Sequence, residues 1–256
     1  ELLLMAENNA KINIENSKKL YENKVVKKQE NIYKLGQLLG IKAPIRIEAF
    51  DNSNLFGEYP VSAMVCFVNG VKSPKDYRKY HVKTVVGAND YATMKEVIYR
   101  RYYRLMIEDA IMPDLIIMDG GIIQVNACLE VLSSLNLDIP VLGLKKDDNH
   151  KTNVLYFNGD TISLAKNDDL YLFLANIQEA VHEFAISFFR NTKAKGMFLS
   201  RLDGIKGLGP KKKEALLKKY LTIDKIKTLS IEEFKSVGVN EELANKILNH
   251  LNNNQN

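Results

Sequence analysis

The sequence predicts an α/β fold, with a mixed sheet flanked by helices, followed by a small all-α domain. Alternating apolar and polar residues between positions 45 and 84 indicate strands, and helical and strand-like patterns alternate from there to residue 190. After Lys195 the chain changes to short helical stretches rich in glycine and lysine. We therefore expect a helical lead-in at residues 1–40, a main domain at 41–195 and a second domain at 196–256.

The first half of the main domain is predicted to be an antiparallel meander. Before it, a helix over residues 1–39 ends at Gly40, and Pro44 excludes further helix. Asn69-Gly70 is typical of a hairpin turn. The three strands are expected at residues 45–51, 62–68 and 77–84.

The second half of the main domain alternates helices with short strands. An unbroken apolar run ends at Asp119 and suits a strand covered on both faces, which favours parallel pairing. Helices are predicted at residues 91–111, 121–135 and 168–190, a strand at 141–144, and a hairpin at 154–157 and 161–165. This order is that of an RNase H-like fold. A right-handed crossover then places the strand ending at Asp119 beside the strand ending at Asp51.

These two aspartates are the first candidates for a metal site. Asp51 shares strand parity with Ile47 and Ala49, so it lies on an apolar face where an unpaired carboxylate is costly. Asp119 ends an apolar strand and is followed by two glycines. Two like charges this close require a cation, and hard oxygen ligands suit Mg²⁺ or Mn²⁺, which could activate water for phosphodiester hydrolysis. The alternative is that each aspartate caps the turn or helix that follows it.

Two further polar residues stand at the ends or on the faces of predicted helices. Asp90 immediately precedes a helix, and its position alone indicates an N-cap rather than a catalytic group. His182 lies on the last long helix of the main domain, with Glu179 three residues before it on the same face. A lone helical histidine is more often structural, but His182 would also suit a metal ligand or a general acid.

The C-terminal segment contains two glycine turns, each of which opens a helix. Gly207 and Gly209 form the first turn, and Gly238 with Asn240 forms the second, about 31 residues later. Glycine lets the backbone approach a phosphate, and amides at the start of the next helix can bind it. Asn tolerates left-handed backbone better than most residues, so we expect the second turn to persist. Lysines around the first turn are Lys206, Lys211, Lys212 and Lys213. Two such turns favour paired helix-hairpin-helix units over a plain helix hairpin.

The charge distribution is typical of a protein that binds the phosphate backbone of a nucleic acid. Residues 190–220 contain ten Lys or Arg residues against two Asp or Glu residues, within a chain of net charge +5. A solvated lysine-rich surface is the alternative.

No apolar run approaches the ~20 residues of a membrane span. Cys66 and Cys128 form no disulfide or zinc pattern, so a cytoplasmic location is expected. The chain begins at Glu1 without an initiator Met, so we expect a fragment.

Several long motifs in fixed order resemble the C-terminal half of the UvrC family, the incision subunit of bacterial nucleotide excision repair. The resemblance runs from about residue 1 to residue 251. The matching stretches are RIEAFDNSN, VSAMVCFVNG, DYRKYHVKTVVGANDYATMKEVIYRRYYR, PDLIIMDGGIIQ, IPVLGLKK, EAVHEFAISFFR and LDGIKGLGPKKKEALLKKY.

The resemblance implies an RNase H-like endonuclease that makes the incision 5′ to a lesion, with Mg²⁺ or Mn²⁺ as cofactor. Transferred by motif, its site residues are Asp51, Asp90, Asp119 and His182, with Asp51, Asp119 and His182 as metal ligands. Asp90, an N-cap by position alone, thus becomes a catalytic candidate. The substrate would be damaged double-stranded DNA at a bubble junction, held by the lysines and glycines of the hairpins. UvrB is the implied partner in the full-length protein.

The sequence departs from the family pattern beside the site. Asn52 and Asn54 replace Ile and His of the usual FDISH motif, and Ile122 and Ile123 replace Lys and Gly of the usual DGGKGQ motif. The family's GIY-YIG nuclease and UvrB-binding segment have no counterpart here, so we expect poor recruitment to lesions. Two rival hypotheses stay open: a non-catalytic DNA-binding module with a degraded nuclease site, and another RNase H-like nuclease such as a junction resolvase or an RNase.

Overall fold

The computed structural model describes residues 2–53, 61–85, 89–146, 152–165 and 167–253. The chain divides into two compact units, Glu1–Phe189 and Arg190–Asn256. The motif residue Asn54 and the backbone between Val85 and Asn89 lie outside the described residues.

An eight-stranded mixed sheet forms the centre of the first unit. Its strands are β1 (Arg46–Ser53), β2 (Val61–Val68), β3 (Val71–Lys72), β4 (Arg78–His81), β5 (Leu115–Met118), β6 (Val141–Lys146), β7 (Thr152–Phe157) and β8 (Asp160–Ser163). They are ordered β3-β2-β1-β5-β6-β7-β8, and β4 also pairs with β2. The pairings β1–β5 and β5–β6 are parallel and the others are antiparallel. The predicted mixed sheet, with β5 beside β1, is therefore confirmed.

Eight helices accompany these strands in the described part of the chain. They are α1 (Leu2–Leu39), α2 (Asp90–Ile107), α3 (Ile122–Ser134), α4 (Asp169–Arg201), α5 (Pro210–Tyr220), α6 (Ile223–Lys227), α7 (Ile231–Lys235) and α8 (Glu241–Asn253). No helix of the described segments combines the length and apolarity that a membrane span requires.

Several predicted element boundaries were wrong, and two of them are instructive. The strand expected at residues 77–84 is present but shorter, as β4 (Arg78–His81), and a two-residue strand that the sequence did not predict, β3, also pairs with β2. Pro74 begins a one-turn 3₁₀ helix between them, because proline lacks the N–H that a continuous ladder would use. The helix expected to end at residue 190 continues to Arg201, since no proline or glycine stop intervenes before Gly196 and the helix tolerates that glycine.

Helices cover both faces of the sheet. One face packs against α1 and α4, and its core includes Ile47, Ala49 and Ile117 of the central strands. The other face packs against α2 and α3, and its core includes Phe50 and Met118. Successive residues of β1 and β5 thus enter different cores, as strand alternation requires. Every second residue of β1 counted from Ile47, and of β5 counted from Ile117, therefore faces α1 and α4.

A charged group is buried beneath α2. Glu48, with no exposed surface, accepts two hydrogen bonds from the Arg101 guanidinium, at 2.6 and 3.1 Å. Arg46 and the Tyr102 hydroxyl also donate to Glu48, each at 3.2 Å. This fully partnered carboxylate ties β1 to α2.

The second unit has its own apolar core. Its buried residues come from the end of α4, from α5 to α8 and from the segments between these helices, including Leu202, Leu216, Phe234 and Ile247. The predicted all-α second domain is therefore confirmed as a fold.

Removing the buried carboxylate is expected to destabilise the first unit. Glu48→Ala should lower the free energy of unfolding by about 3–5 kcal/mol, because Arg101 is left buried without its counter-charge. Urea unfolding followed by circular dichroism measures the change. The control, Glu108→Ala, removes the exposed pair with Arg104 and should cost no more than about 0.5 kcal/mol. A loss below about 1 kcal/mol for Glu48→Ala would show that the ion pair does not hold β1 to α2.

Candidate functional site

The parallel pairing of β1 with β5 brings two aspartates together. Phe50 lies opposite Met118 in the ladder, so Asp51 and Asp119 are the next residues of the two strands. The Asp119 amide donates to the Phe50 carbonyl at 2.9 Å and continues the ladder past the end of β5. Both side chains point to the face that α4 covers, and their exposed fractions are only 10% and 9%.

Helix α4 supplies a histidine to the same place. His182 Nδ1 lies 2.9 Å from Asp51 Oδ2 and 3.8 Å from Asp119 Oδ2. One ligand atom from each of the three residues lies within 4.8 Å of the other two. The imidazole is 47% exposed, so this three-residue cluster opens to solvent on the histidine side. The structure thus brings together three of the four predicted site residues.

The donor set fits a divalent cation. Two nearly buried carboxylates at this separation repel each other, and a positive charge between them removes that cost. Carboxylate oxygens are hard ligands that suit Mg²⁺-type cations, and imidazole nitrogen suits divalent transition metals. Asp51, Asp119 and His182 would be the protein ligands, and the exposed side would admit water or substrate.

The site also depends on Gln178, which sequence reasoning missed. This buried side chain donates from Nε2 to Asp119 Oδ1. It lies four residues before His182, so both side chains project from one face of α4. Their spacing was the signal available in the sequence, whereas Glu179, the residue that the sequence favoured, is exposed.

A glycine on the neighbouring strand makes room for the Asp119 turn. A Cβ on Gly143 of β6 would lie 2.7 Å from Val125 Cγ2 and 3.0 Å from the Gly120 carbonyl oxygen. Any side chain here would push against the backbone that follows Asp119. Sequence reasoning placed Gly143 in a strand but gave it no role.

Asp90 lies outside the three-residue cluster. It is the exposed first residue of α2, and the group of residues that could hold a metal within the described ranges does not include it. Its suggested N-cap role was wrong, because Asn89 is the cap and accepts from the Ala92 amide at 3.0 Å. The Asp90 carbonyl accepts from Asn52 Nδ2 at 3.2 Å. This contact ties the start of α2 to the residue after Asp51.

The helix that follows the first glycine turn of the second unit has no side-chain N-cap. Gly207 has φ +95°, a conformation that favours glycine, and Gly209 comes directly before α5. Pro210 occupies the first helical position, and Lys211 beside it is exposed. Two of the other predicted phosphate-binding lysines are Lys206, which is exposed, and Lys213, which is paired with Asp203.

The second glycine turn differs from the first in how the following helix begins. Gly238 has the left-handed φ of +76°, whereas Asn240 does not adopt the left-handed backbone suggested by the sequence. Asn240 instead caps α8, because its Oδ1 accepts from the Leu243 amide at 3.0 Å. The first turn of α8 also contains Glu241 and Glu242. A phosphate at this helix start would meet an occupied amide and two carboxylates.

The family model described as the UvrC RNAse H endonuclease domain matches residues 36–186, more than half of the chain. This chain belongs to the UvrC family. A second model, the SAM-like helix-hairpin-helix tandem, matches residues 199–253. The chain therefore contains the UvrC RNase H endonuclease domain followed by a tandem helix-hairpin-helix domain.

Curated UvrC relatives match along nearly the whole chain. UvrABC system protein C of Streptococcus gordonii, and that of Streptococcus sanguinis, are each 48% identical over 256 residues. The protein of the same name from Streptococcus pneumoniae is 48% identical over 255 residues. Each match covers 98% of this chain but only 42% of the relative, so the chain spans less than half of those UvrC proteins.

Solved structures show a more distant likeness to this UvrC chain. Endonuclease V of Ciona intestinalis in complex with DNA containing an inosine is 9% identical, over 58% of this chain and 87% of that one, with a TM-score of 0.37. Human ENDOV is 9% identical, over 57% of this chain and 86% of that one, with a TM-score of 0.30.

Proposed function

We propose that this chain is the part of UvrC that makes the incision 5′ to a lesion in bacterial nucleotide excision repair. The observation that carries the proposal is the cluster of Asp51, Asp119 and His182 inside a UvrC endonuclease domain. The substrate is damaged double-stranded DNA at a bubble junction. UvrB is the partner of the full-length protein, and the cytoplasm is its location.

We propose Mg²⁺ or Mn²⁺ as the cation that the cluster holds. When bound, such an ion polarises a phosphate oxygen and lowers the pKa of a coordinated water. Asp51 and Asp119 hold the cation, and Gln178 orients the Asp119 carboxylate by a hydrogen bond to Oδ1. His182 serves either as the third ligand or as the group that transfers a proton at the cleaved bond.

Asp90 belongs to this proposal as a catalytic residue. The UvrC motif that contains it, and the link from Asn52 to its carbonyl, support a position at the edge of the cluster. Its exposed carboxylate would act on the substrate or on the hydrated cation rather than as a member of the three-residue group.

The tandem helix-hairpin-helix domain is proposed to hold duplex DNA. The first hairpin carries most of this role, because its uncapped helix start and Lys211 favour an anion. Gly238 of the second hairpin is proposed to contact DNA through its backbone alone. In functional terms, residues 1–40 are a lead-in to the nuclease domain at 41–195, and residues 196–256 bind DNA.

The second candidate function is a non-catalytic DNA-binding module. The observation in its favour is the apolar pair Ile122 and Ile123 directly after the Asp119 turn, with side chains 49% and 60% exposed. In this case the hairpins would bind DNA while the altered motif no longer supports cleavage.

Nicking by site variants distinguishes the two functions. With Mn²⁺ and a bubble-containing DNA, Asp51→Asn and Asp119→Asn should each slow nicking by about a thousandfold, because each removes a charged ligand worth several kcal/mol. Gln178→Ala should slow it by about 10–100-fold, as expected for a group that orients a ligand. Gel assays of nicked product measure these rates.

Glu179→Gln is the matched control for this series, because Glu179 is an exposed carboxylate on the same helix as His182. It should nick at the wild-type rate. DNA binding by every variant is measured in parallel. Normal binding with no nicking from any form, even with UvrB and the upstream UvrC domains supplied, would establish the binding-module function instead.

The difference between the two hairpins gives a separate prediction. Lys211→Glu should weaken duplex binding by about tenfold and reduce the salt dependence of binding by about one counterion, because one phosphate contact is lost. Lys235→Glu makes the same charge change at an exposed position of the second hairpin. It should have a clearly smaller effect in the same fluorescence anisotropy titration. Equal losses for both variants would mean that the two hairpins share the phosphate backbone equally.

A further inference from the structure

Helix α2 presents a row of aromatic and basic side chains to solvent. Tyr91, Lys95, Tyr99 and Tyr103 follow one another at intervals of four residues, so they lie on one face of the helix. We call these four residues the tyrosine row. The three tyrosines are 36%, 44% and 45% exposed, which is a large aromatic area to leave in water.

The rings of the tyrosine row are already arranged for stacking. Tyr99 and Tyr103 lie nearly parallel, with an interplanar angle of 10° and ring centroids 5.3 Å apart. Glu130 of α3 accepts hydrogen bonds from the Tyr91 hydroxyl and from Lys95 Nζ. Lys95 Nζ also lies 5.6 Å from the centroid of the Tyr91 ring. The first two side chains of the row are therefore held in place before any ligand arrives.

A groove of about 1010 Å³ runs beside the row. Its lining combines the rings of Tyr91 and Tyr99 with three cations, Lys83, Lys95 and Arg100, and one carboxylate, Glu96, which is paired with Arg100. At one end lies the start of α2, where the Asp90 carbonyl is bonded to Asn52, the residue after Asp51. The groove is therefore linked through Asn52 to the end of β1, the strand that carries Asp51.

We propose that the tyrosine row and its groove bind unpaired nucleotides of a DNA strand that enters the nuclease site. This inference rests on the proposed function and adds a surface for single-stranded DNA to it. Aromatic side chains beside a groove in which cations outnumber carboxylates bind single strands, because every base has a face that can stack and the cations attract the backbone. From Tyr91 to Tyr103 the row spans about 18 Å, which is long enough for several nucleotides.

Duplex DNA does not fit this surface. Its bases are stacked on each other and expose only their edges, so the tyrosine faces would find no partner. A junction or bubble supplies unpaired bases within reach of the nuclease site. The row would therefore favour substrates in which the strand next to the scissile bond is open.

Single-strand binding in the absence of metal tests the proposal on the whole chain. Fluorescently labelled oligothymidylate is titrated by anisotropy in EDTA, so that no cleavage occurs. The double variant Tyr99→Ala with Tyr103→Ala should bind the oligonucleotide about tenfold or more weakly, because two stacking partners are lost. The matched variant Tyr99→Phe with Tyr103→Phe keeps both rings and should bind within about threefold of wild type.

Two controls make the result specific. Tyr33→Ala removes an exposed tyrosine of α1 and should not change the affinity. A fully paired duplex, bound through the hairpins, should bind the alanine double variant as it binds wild type. Thermal unfolding of that variant checks that α2 remains folded.

Wild-type affinity of the alanine double variant for oligothymidylate would overturn the proposal and leave the row as a surface for a protein. An equal loss on single strands and on duplex would overturn it as well. Failure of the nuclease proposal is separately visible. In that case neither wild type nor Asp51→Asn would nick DNA, whereas the single-strand titration does not depend on cleavage.

Discussion

The parallel pairing of β1 with β5 is the constraint on which the site depends. It sets Asp51 and Asp119 at the same level of neighbouring strands, and the strand alternation turns both toward α4. A slip of one residue in either strand would move its aspartate to the opposite face, under α2 and α3. The ladder is extended beyond β5 by the bond from the Asp119 amide to Phe50. The backbone therefore fixes the distance between the two carboxylates before any cation is bound.

Side-chain contacts on both faces of the sheet hold the neighbouring helices to this ladder. On one face, Glu48 joins β1 to α2 through Arg101, and Asn52 joins the end of β1 to the start of the same helix. On the other face, α4 delivers His182 and Gln178 one turn apart. The start of helix α2 is thus anchored to the end of β1, on the sheet face opposite the cluster.

The sequence predicted the fold and three members of the cluster for identifiable physical reasons. Asp51 and Asp119 stand out because they end apolar strands, whereas His182 was assigned to the site mainly through the resemblance to the UvrC family. The roles of Gln178 and Gly143 depend on neighbours far along the chain, namely Asp119 and the Gly120 carbonyl, which periodicity does not report. The ion pair of Glu48 was hidden for the same reason, since Arg101 is 53 residues away.

A crystal of this chain soaked in MnCl₂ and measured at a wavelength where manganese scatters anomalously tests the central claim most directly. We expect one anomalous peak between the carboxylates of Asp51 and Asp119, at coordination distance from both and adjacent to the His182 ring. We also expect the peak to be lost from crystals of Asp119→Asn. Wild-type crystals with well-ordered side chains and no peak there at saturating Mn²⁺, or an equal peak in the variant, would contradict the assignment of this cluster as the metal centre.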